Sequence, residues 1–201
     1  MNVQCRPMSV SDFGVVECAH WEAAEQVRQF IERQGIGSML AFDGERYLGQ
    51  LYLQEYDPEF RDPKGRVGHR PWADFQVAEP LHLDGRFLTL GCYHVGWMPD
   101  NTRDTSLYGR GIGTSLLKAV IDWFRAQDAI DGLLTWGVMP GSKRLLQMAG
   151  QMPYTVYERF GFPVIKKVRD PRWIKSVTRE QYPDIVGREP GLLRVMLLEQ
   201  K

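Results

Sequence analysis

The segment that most constrains the fold is Tyr108-Gly109-Arg110-Gly111-Ile112-Gly113-Thr114, because of what stands on either side of it. Before it, Arg86–Met98 is apolar on both alternating faces, the pattern of a strand covered from both sides. After it, Thr114–Gln127 carries Leu116, Leu117, Val120, Ile121 and Phe124 on one helical face, with Lys118 and Asp122 four apart outside. A glycine-rich turn between a buried strand and an amphipathic helix calls for layered α/β packing. It also lets backbone N–H groups converge without Cβ obstruction at a helix N-terminus, where peptide dipoles sum to about half a positive charge. That arrangement suits a pyrophosphate, although many such turns bind nothing. Two nucleotide fingerprints drop out: the third glycine of G-x-G-x-x-G is replaced by Thr114 or Leu116, and there is no G-x-x-x-x-G-K-[ST].

The rest of the chain supplies the other layers. Val3–Arg6 is a short strand, and Ser9-Val10-Ser11-Asp12 offers N-cap residues for a helix running towards Trp21. Ala23–Arg33 repeats at helical spacing and stops at Gly35. Ser38–Phe42 and Arg46–Gln54 flank the turn Asp43-Gly44 as a β-hairpin. Gly132–Val138 is a second buried strand, followed by a helical region broken at Gly150 and Pro153 that ends in Tyr157–Phe162. Val164–Val168 and Leu192–Glu199 complete the strands. The order β-α-α-β-β-β-α-β-α-β-β predicts one α/β domain over residues 1–201, a mixed sheet with helices on both faces. Residues 57–85, which include Trp72 and Phe75, and residues 169–190 read as elaborated loops.

Composition narrows the function classes. The 201 residues are 43% hydrophobic and 25% charged with a formal net charge of zero, so no nucleic-acid or anionic-membrane partner is expected. No run reaches the roughly eighteen apolar residues of a membrane span, and the start Met1–Arg6 has no apolar signal core, so a cytoplasmic location is expected. Cys5, Cys18 and Cys92 are too widely spaced for a disulfide framework or a metal site, and no metal is expected. Acidic residues dominate positions 1–60 and basic ones positions 159–179. Solvated faces produce such asymmetry, and so do two different ligand surfaces.

Two motifs in order, with a strand between them, carry a family resemblance. Tyr108–Gly113 followed by an amphipathic helix resembles the pyrophosphate loop [QR]-x-x-G-x-[GA] of the GNAT N-acetyltransferase superfamily. Tyr157–Phe162 (YERFGF) resembles the family's Y-E-x-x-G-F element, and Met39–Gln54 resembles its second and third strands. The similarity spans most of the chain. Tyr108 departs from the family, which has Gln or Arg there, and Pro99–Ser106 looks inserted.

The resemblance implies a single mixed, mostly antiparallel sheet whose central strands splay, with acetyl-CoA as co-substrate. Tyr108, Gly109, Arg110, Gly111, Ile112, Gly113 and Thr114 would then hold the pyrophosphate, and Val95, Gly96 and Trp97 the pantetheine arm and the acyl carbonyl. Tyr157 stands at the general-acid position, where a phenol protonates the departing thiolate; a buried aromatic packed on Phe160 is the bland alternative. His94 is the candidate base, with a satisfied core histidine an equal reading. Cys92 as a nucleophile has no sequence support. The acceptor is an amine of a small molecule or peptide, with Glu17, Glu22, Glu25, His20, Trp72 and Phe75 as candidate lining. A homodimer is left open. The competing function is an acyl-CoA-binding sensor or scaffold that transfers nothing.

Overall fold

The first hairpin forms where the sequence turns from alternating apolar residues to Asp43-Gly44-Glu45. In the computed structural model, strand β2 (Ser38–Asp43) runs antiparallel to β3 (Arg46–Glu55) with Asp43 opposite Arg46. The two-residue loop is therefore Gly44-Glu45, one residue later than the sequence turn. Gly44 takes the positive φ of 60° that such a tight reversal demands. The model describes residues 1–12, 24–58, 81–100, 102–140, 150–169 and 192–200. The expected helix towards Trp21 lies outside them beyond Asp12, as do His20, Trp72 and Phe75.

Seven strands form one mixed sheet in the order β1-β2-β3-β4-β5-β7-β6: β1 is Gln4–Pro7, β4 Phe87–Tyr93, β5 Gly132–Gly137, β6 Val164–Arg169 and β7 Leu192–Glu199. The described residues gather into two units, Met1–Gln54 with Tyr93–Gln127, and Glu55–Cys92 with Asp128–Lys201.

In the first unit, β1 pairs antiparallel with β2. Helix α1 (Ala24–Gln34) buries Val27 and Ile31 with Met8 and Leu40, and Gly35 at φ 70° ends it by donating to the Ile31 carbonyl. Helix α2 (Ile112–Phe124) packs on β1 and β2. It begins two residues before the expected Thr114, because Ile112 is itself buried and already belongs to the first turn. Each fully buried Leu, Ile or Phe on that face contributes about 1.5–3 kcal/mol.

In the second unit, β4 and β5 are parallel, a pairing that requires a long crossover connection. β7 pairs antiparallel with both β5 and β6. Leu134, Trp136 and Val138 join Leu193, Val195, Leu197 and Val168 in one apolar cluster. Tyr56 closes the root of the long 57–85 connection. Its phenol donates to the Leu81 carbonyl at 2.8 Å and accepts from the Leu81 N–H at 3.0 Å. Burial pushes that phenol up to about 12, with nearby Asp57 adding to the shift.

At the N-terminal edge, Asp12 closes the short 3₁₀ turn Val10–Asp12 that follows β1. Arg6 meets its carboxylate with two bonds, at 2.6 and 2.7 Å, and Ser9 adds its N–H and hydroxyl. The Arg6 bonds, with those from Ser9, hold the carboxyl down at about 2 against the opposing effect of burial. A depressed carboxyl stabilises the fold above its unfolded value and loses that contribution as pH falls through its folded value. Urea midpoints of the wild type and of Asp12→Asn are expected to differ at neutral pH. They should converge between about pH 4 and pH 2.

Candidate functional site

The first unit contains a turn that the apolar pattern conceals. β4 stops at Tyr93, five residues short of the expected Met98. The His94 N–H donates to the Gln50 carbonyl at 2.8 Å and the Gly96 N–H to the Leu48 carbonyl at 2.9 Å. Gly96 then takes φ 71°, and Trp97 bridges to Arg103 across a reversal. Two glycines make this geometry. A Cβ on Gly49 would lie 2.6 Å from the His94 carbonyl oxygen, and one on Gly96 would strike the Asp104 carbonyl oxygen and approach the Tyr108 ring. Of the segment Val95–Trp97, which the resemblance assigns to the pantetheine arm and acyl carbonyl, the Gly96 N–H is thus engaged by β3.

His94 is only 6% exposed and packs tilted against Trp97, ring centroids 4.7 Å apart, while the Arg103 guanidinium lies 4.2 Å from the Trp97 ring centre. Val95 and Trp97 are half-buried. Asp104 caps the 3₁₀ turn Thr105–Leu107, accepting from the Ser106 N–H and hydroxyl and pairing with Arg46. The Ser106 hydroxyl above all, then the Ser106 N–H and Arg46, lower the Asp104 carboxyl against the opposing effect of desolvation.

The glycine turn follows directly. Gly109 and Gly111 have φ of 73° and 80°, the left-handed region that L side chains rarely adopt. A Cβ at either position meets no described atom within 4 Å, so the space above the turn is open. Gly111 is the N-cap of α2 and has no side-chain cap. The helix start therefore presents backbone donors and its dipole without a built-in acceptor. Arg110 is exposed and its Nε donates to the Ser106 carbonyl at 2.6 Å. Tyr108 is half-buried against Gly96, whereas Ile112 and Gly113 are buried and Thr114 is partly so.

The second unit holds Tyr157. Helix α3 (Tyr154–Arg159) is pinned at its start to β5: the Tyr154 N–H donates to the Val138 carbonyl and the Val138 N–H to the Met152 carbonyl. Gly137 admits this approach, since a Cβ there would lie 2.5 Å from the Tyr154 Cα. Gly161, at φ 86°, ends the helix and turns the chain so that Phe162 packs edge-on to Tyr157, centroids 5.6 Å apart. Phe162, two residues beyond the Phe160 that helical spacing suggests, is thus an aromatic partner of Tyr157.

Tyr157 is fully buried, and its hydroxyl donates to Gln151 Oε1 at 3.1 Å. Gln151, also buried, donates from Nε2 to the Gly91 carbonyl on β4 at 2.8 Å. Nothing in the sequence singled out Gln151. Its partners are 60 residues upstream and six downstream, and only a flanking Gly150 and Pro153 mark the place.

Gly91 lies beyond the last β4–β5 pair, since the described register runs only from Phe87 opposite Gly132 to Thr89 opposite Leu134. That is the parting expected of splayed central strands. Thr89 and Thr135, both buried there, have hydroxyls without a hydrogen-bond partner among the described residues. Cys92 is buried under Gly150. Glu25 is exposed and accepts from Gln29, whereas Glu17 and Glu22 lie outside the described residues. Among the described residues, no helix is long and apolar enough to cross a membrane, and no cluster of His, Cys, Asp and Glu could hold a metal ion.

Gly137→Ala is expected to lower stability by about 1–3 kcal/mol, because the backbone of α3 cannot yield as a flexible side chain would. Chemical denaturation measures the loss. A Gly44→Ala variant, whose new methyl meets no described atom, isolates the smaller cost of a left-handed φ.

No protein-family model matches the sequence, and no curated protein matches it. Solved structures do match in fold. The crystal structure of the NatC complex bound to Gag peptide and CoA includes a chain 13% identical to this one, with all of both chains covered and a TM-score of 0.50. NAA60 of Arabidopsis thaliana, in complex with a bisubstrate analogue, is 10% identical over 100% of this chain and 99% of that one, with a TM-score of 0.51. An N-acetyltransferase from Staphylococcus aureus Mu50 is 12% identical with all of both chains covered and a TM-score of 0.50.

Proposed function

We propose that this chain, whose fold is that of the GNAT N-acetyltransferases, is an N-acetyltransferase acting as one domain. It moves an acetyl or short acyl group from acyl-coenzyme A to a primary amine of a small molecule or peptide. The observation that carries the reading is the glycine turn. Two left-handed glycines stand under open space at a helix start without a side-chain cap, and that cradle fits a pyrophosphate. Arg110 adds charge beside it. The unpartnered hydroxyls of Thr89 and Thr135, at the parting of β4 and β5, suit the amides of a pantetheine arm. Fold neighbours solved with CoA and with a bisubstrate analogue support the same co-substrate.

Acetyl-CoA supplies the thioester. The amine nitrogen forms the new N–C bond as the C–S bond breaks, its proton leaves to solvent, and the Tyr157 hydroxyl gives its proton to the sulfur and regains one from water. This reading rests on Tyr157; His94, buried against Trp97, has no part in it. The acidic surplus of residues 1–60 favours a cationic amine. We place the protein in the cytoplasm and leave a homodimer open.

One observation favours the rival reading, an acyl-CoA-binding module without transfer: the Tyr157 proton already has a protein acceptor. Calorimetry and a thiol-release assay separate the two. A transferase binds acetyl-CoA and releases CoA faster with amines present, whereas a sensor only binds. Gly111→Val should weaken acetyl-CoA binding about tenfold or more in a folded protein, by filling the open space and straining the turn. Unchanged affinity would remove the cradle. Tyr157→Phe should lower kcat about ten- to ten-thousandfold with little change in acetyl-CoA affinity. A wild-type rate would leave Tyr157 a packing residue.

A further inference from the structure

The direction of every hydrogen bond between Gly91 and Tyr157 is fixed by chemistry. A backbone carbonyl only accepts, so the Gln151 group facing Gly91 is its NH₂. The amide oxygen is thereby turned to Tyr157, and because that oxygen also only accepts, the phenol must donate. A flipped amide would set its oxygen against the Gly91 carbonyl oxygen in a buried place, which costs about 1–3 kcal/mol. Gly91 has no pairing to β5 in the described register, so the Gln151 side chain takes the place of a strand at this point. One amide therefore does two things. It satisfies β4 beyond the parting, and it determines where the Tyr157 oxygen sits and where its proton points.

We propose that Gln151 is the positioning residue for Tyr157, a role that rests on the transferase reading above. The neutral amide holds the phenol at a fixed place in its proton-bearing form. An anionic sulfur is a stronger acceptor than a neutral amide, because charge-assisted bonds are roughly twice as strong. The hydroxyl then swings about its C–O bond towards the developing charge while the ring stays locked between Gln151 and Phe162. Without Gln151 the phenol loses this acceptor and the Gly91 carbonyl its side-chain donor.

The test is a double-mutant cycle on the full chain, read as kcat and KM with acetyl-CoA and the best substrate among spermidine, a lysine-containing peptide and an aromatic amine. Gln151→Met, of similar shape and without hydrogen bonds, should lower kcat about tenfold with acetyl-CoA KM changed less than about threefold. In the Tyr157→Phe background the same change should cost less than about twofold, since the two residues act as one unit. Gln151→Glu can make both bonds only while its carboxyl is protonated, donating to Gly91 and accepting from Tyr157, so its kcat should match that of Gln151→Met at high pH and recover as pH falls.

Equal loss in both Tyr157 backgrounds, a Gln151→Glu kcat that does not recover relative to wild type as pH falls, or a kcat that rises in Gln151→Met would overturn the assignment. If one variant fails to fold in a circular-dichroism melt, the other still decides. A wild-type chain that binds acetyl-CoA and acetylates none of these amines would overturn the transferase reading instead, and the role of Gln151 with it.

Discussion

A buried strand cannot leave its backbone groups unpaired, and the β4–β5 ladder keeps its described register for only three pairs. The surroundings answer that constraint differently on each strand. β5 continues along β7 as far as Gly137 opposite Arg194, so its far side stays satisfied. β4 has no such continuation on the β5 side, and at Gly91 it takes a glutamine side chain instead. Past Tyr93 the chain turns along β3, where Gln50 and Leu48 accept from His94 and Gly96. Each substitute demands a particular residue. Gly49 and Gly96 are there because no side chain fits, and Gln151 because it both donates and accepts.

The same constraint explains why the two threonine hydroxyls at the parting stand out. A buried hydroxyl without a partner costs about 1–3 kcal/mol, and Thr89 and Thr135 sit side by side in sequence register, one position apart, where the ladder fails. Leu88 and Leu90 flank Thr89 on β4, and Leu134 and Trp136 flank Thr135 on β5. Ser38, Gln50 and Gln54 also carry buried polar atoms without a hydrogen-bond partner among the described residues, so the threonines are set apart by their place at the end of the ladder.

How much was legible in the sequence follows from the range of the forces involved. The hairpin, α1 and its Gly35 stop, and the five-residue apolar face of α2 were readable because each is set within about two turns of chain. The glycine turn was readable for the same reason. The apolar pattern overruns the end of β4 at Tyr93 because His94-Val95-Gly96-Trp97-Met98 is as apolar in a turn as in a strand. Only the approach of β3, through Gly49, shows that the chain must bend. The helix start was misplaced by two residues because Gly111, not Thr114, is the N-cap, and glycine caps by conformation without a side-chain signal. Gln151 was invisible for a plain reason: its partner on β4 is sixty residues away, and pattern carries no information at that distance.

The Tyr56–Leu81 pair has a consequence of its own. By tying residue 56 to residue 81 through two bonds on one hydroxyl, the fold closes the long connection at its base before the chain departs for the interval between them. Both bonds depend on one oxygen, so Tyr56→Phe takes this partner from the Leu81 N–H and from the Leu81 carbonyl together. The closure is all or nothing, held in both directions by a single atom.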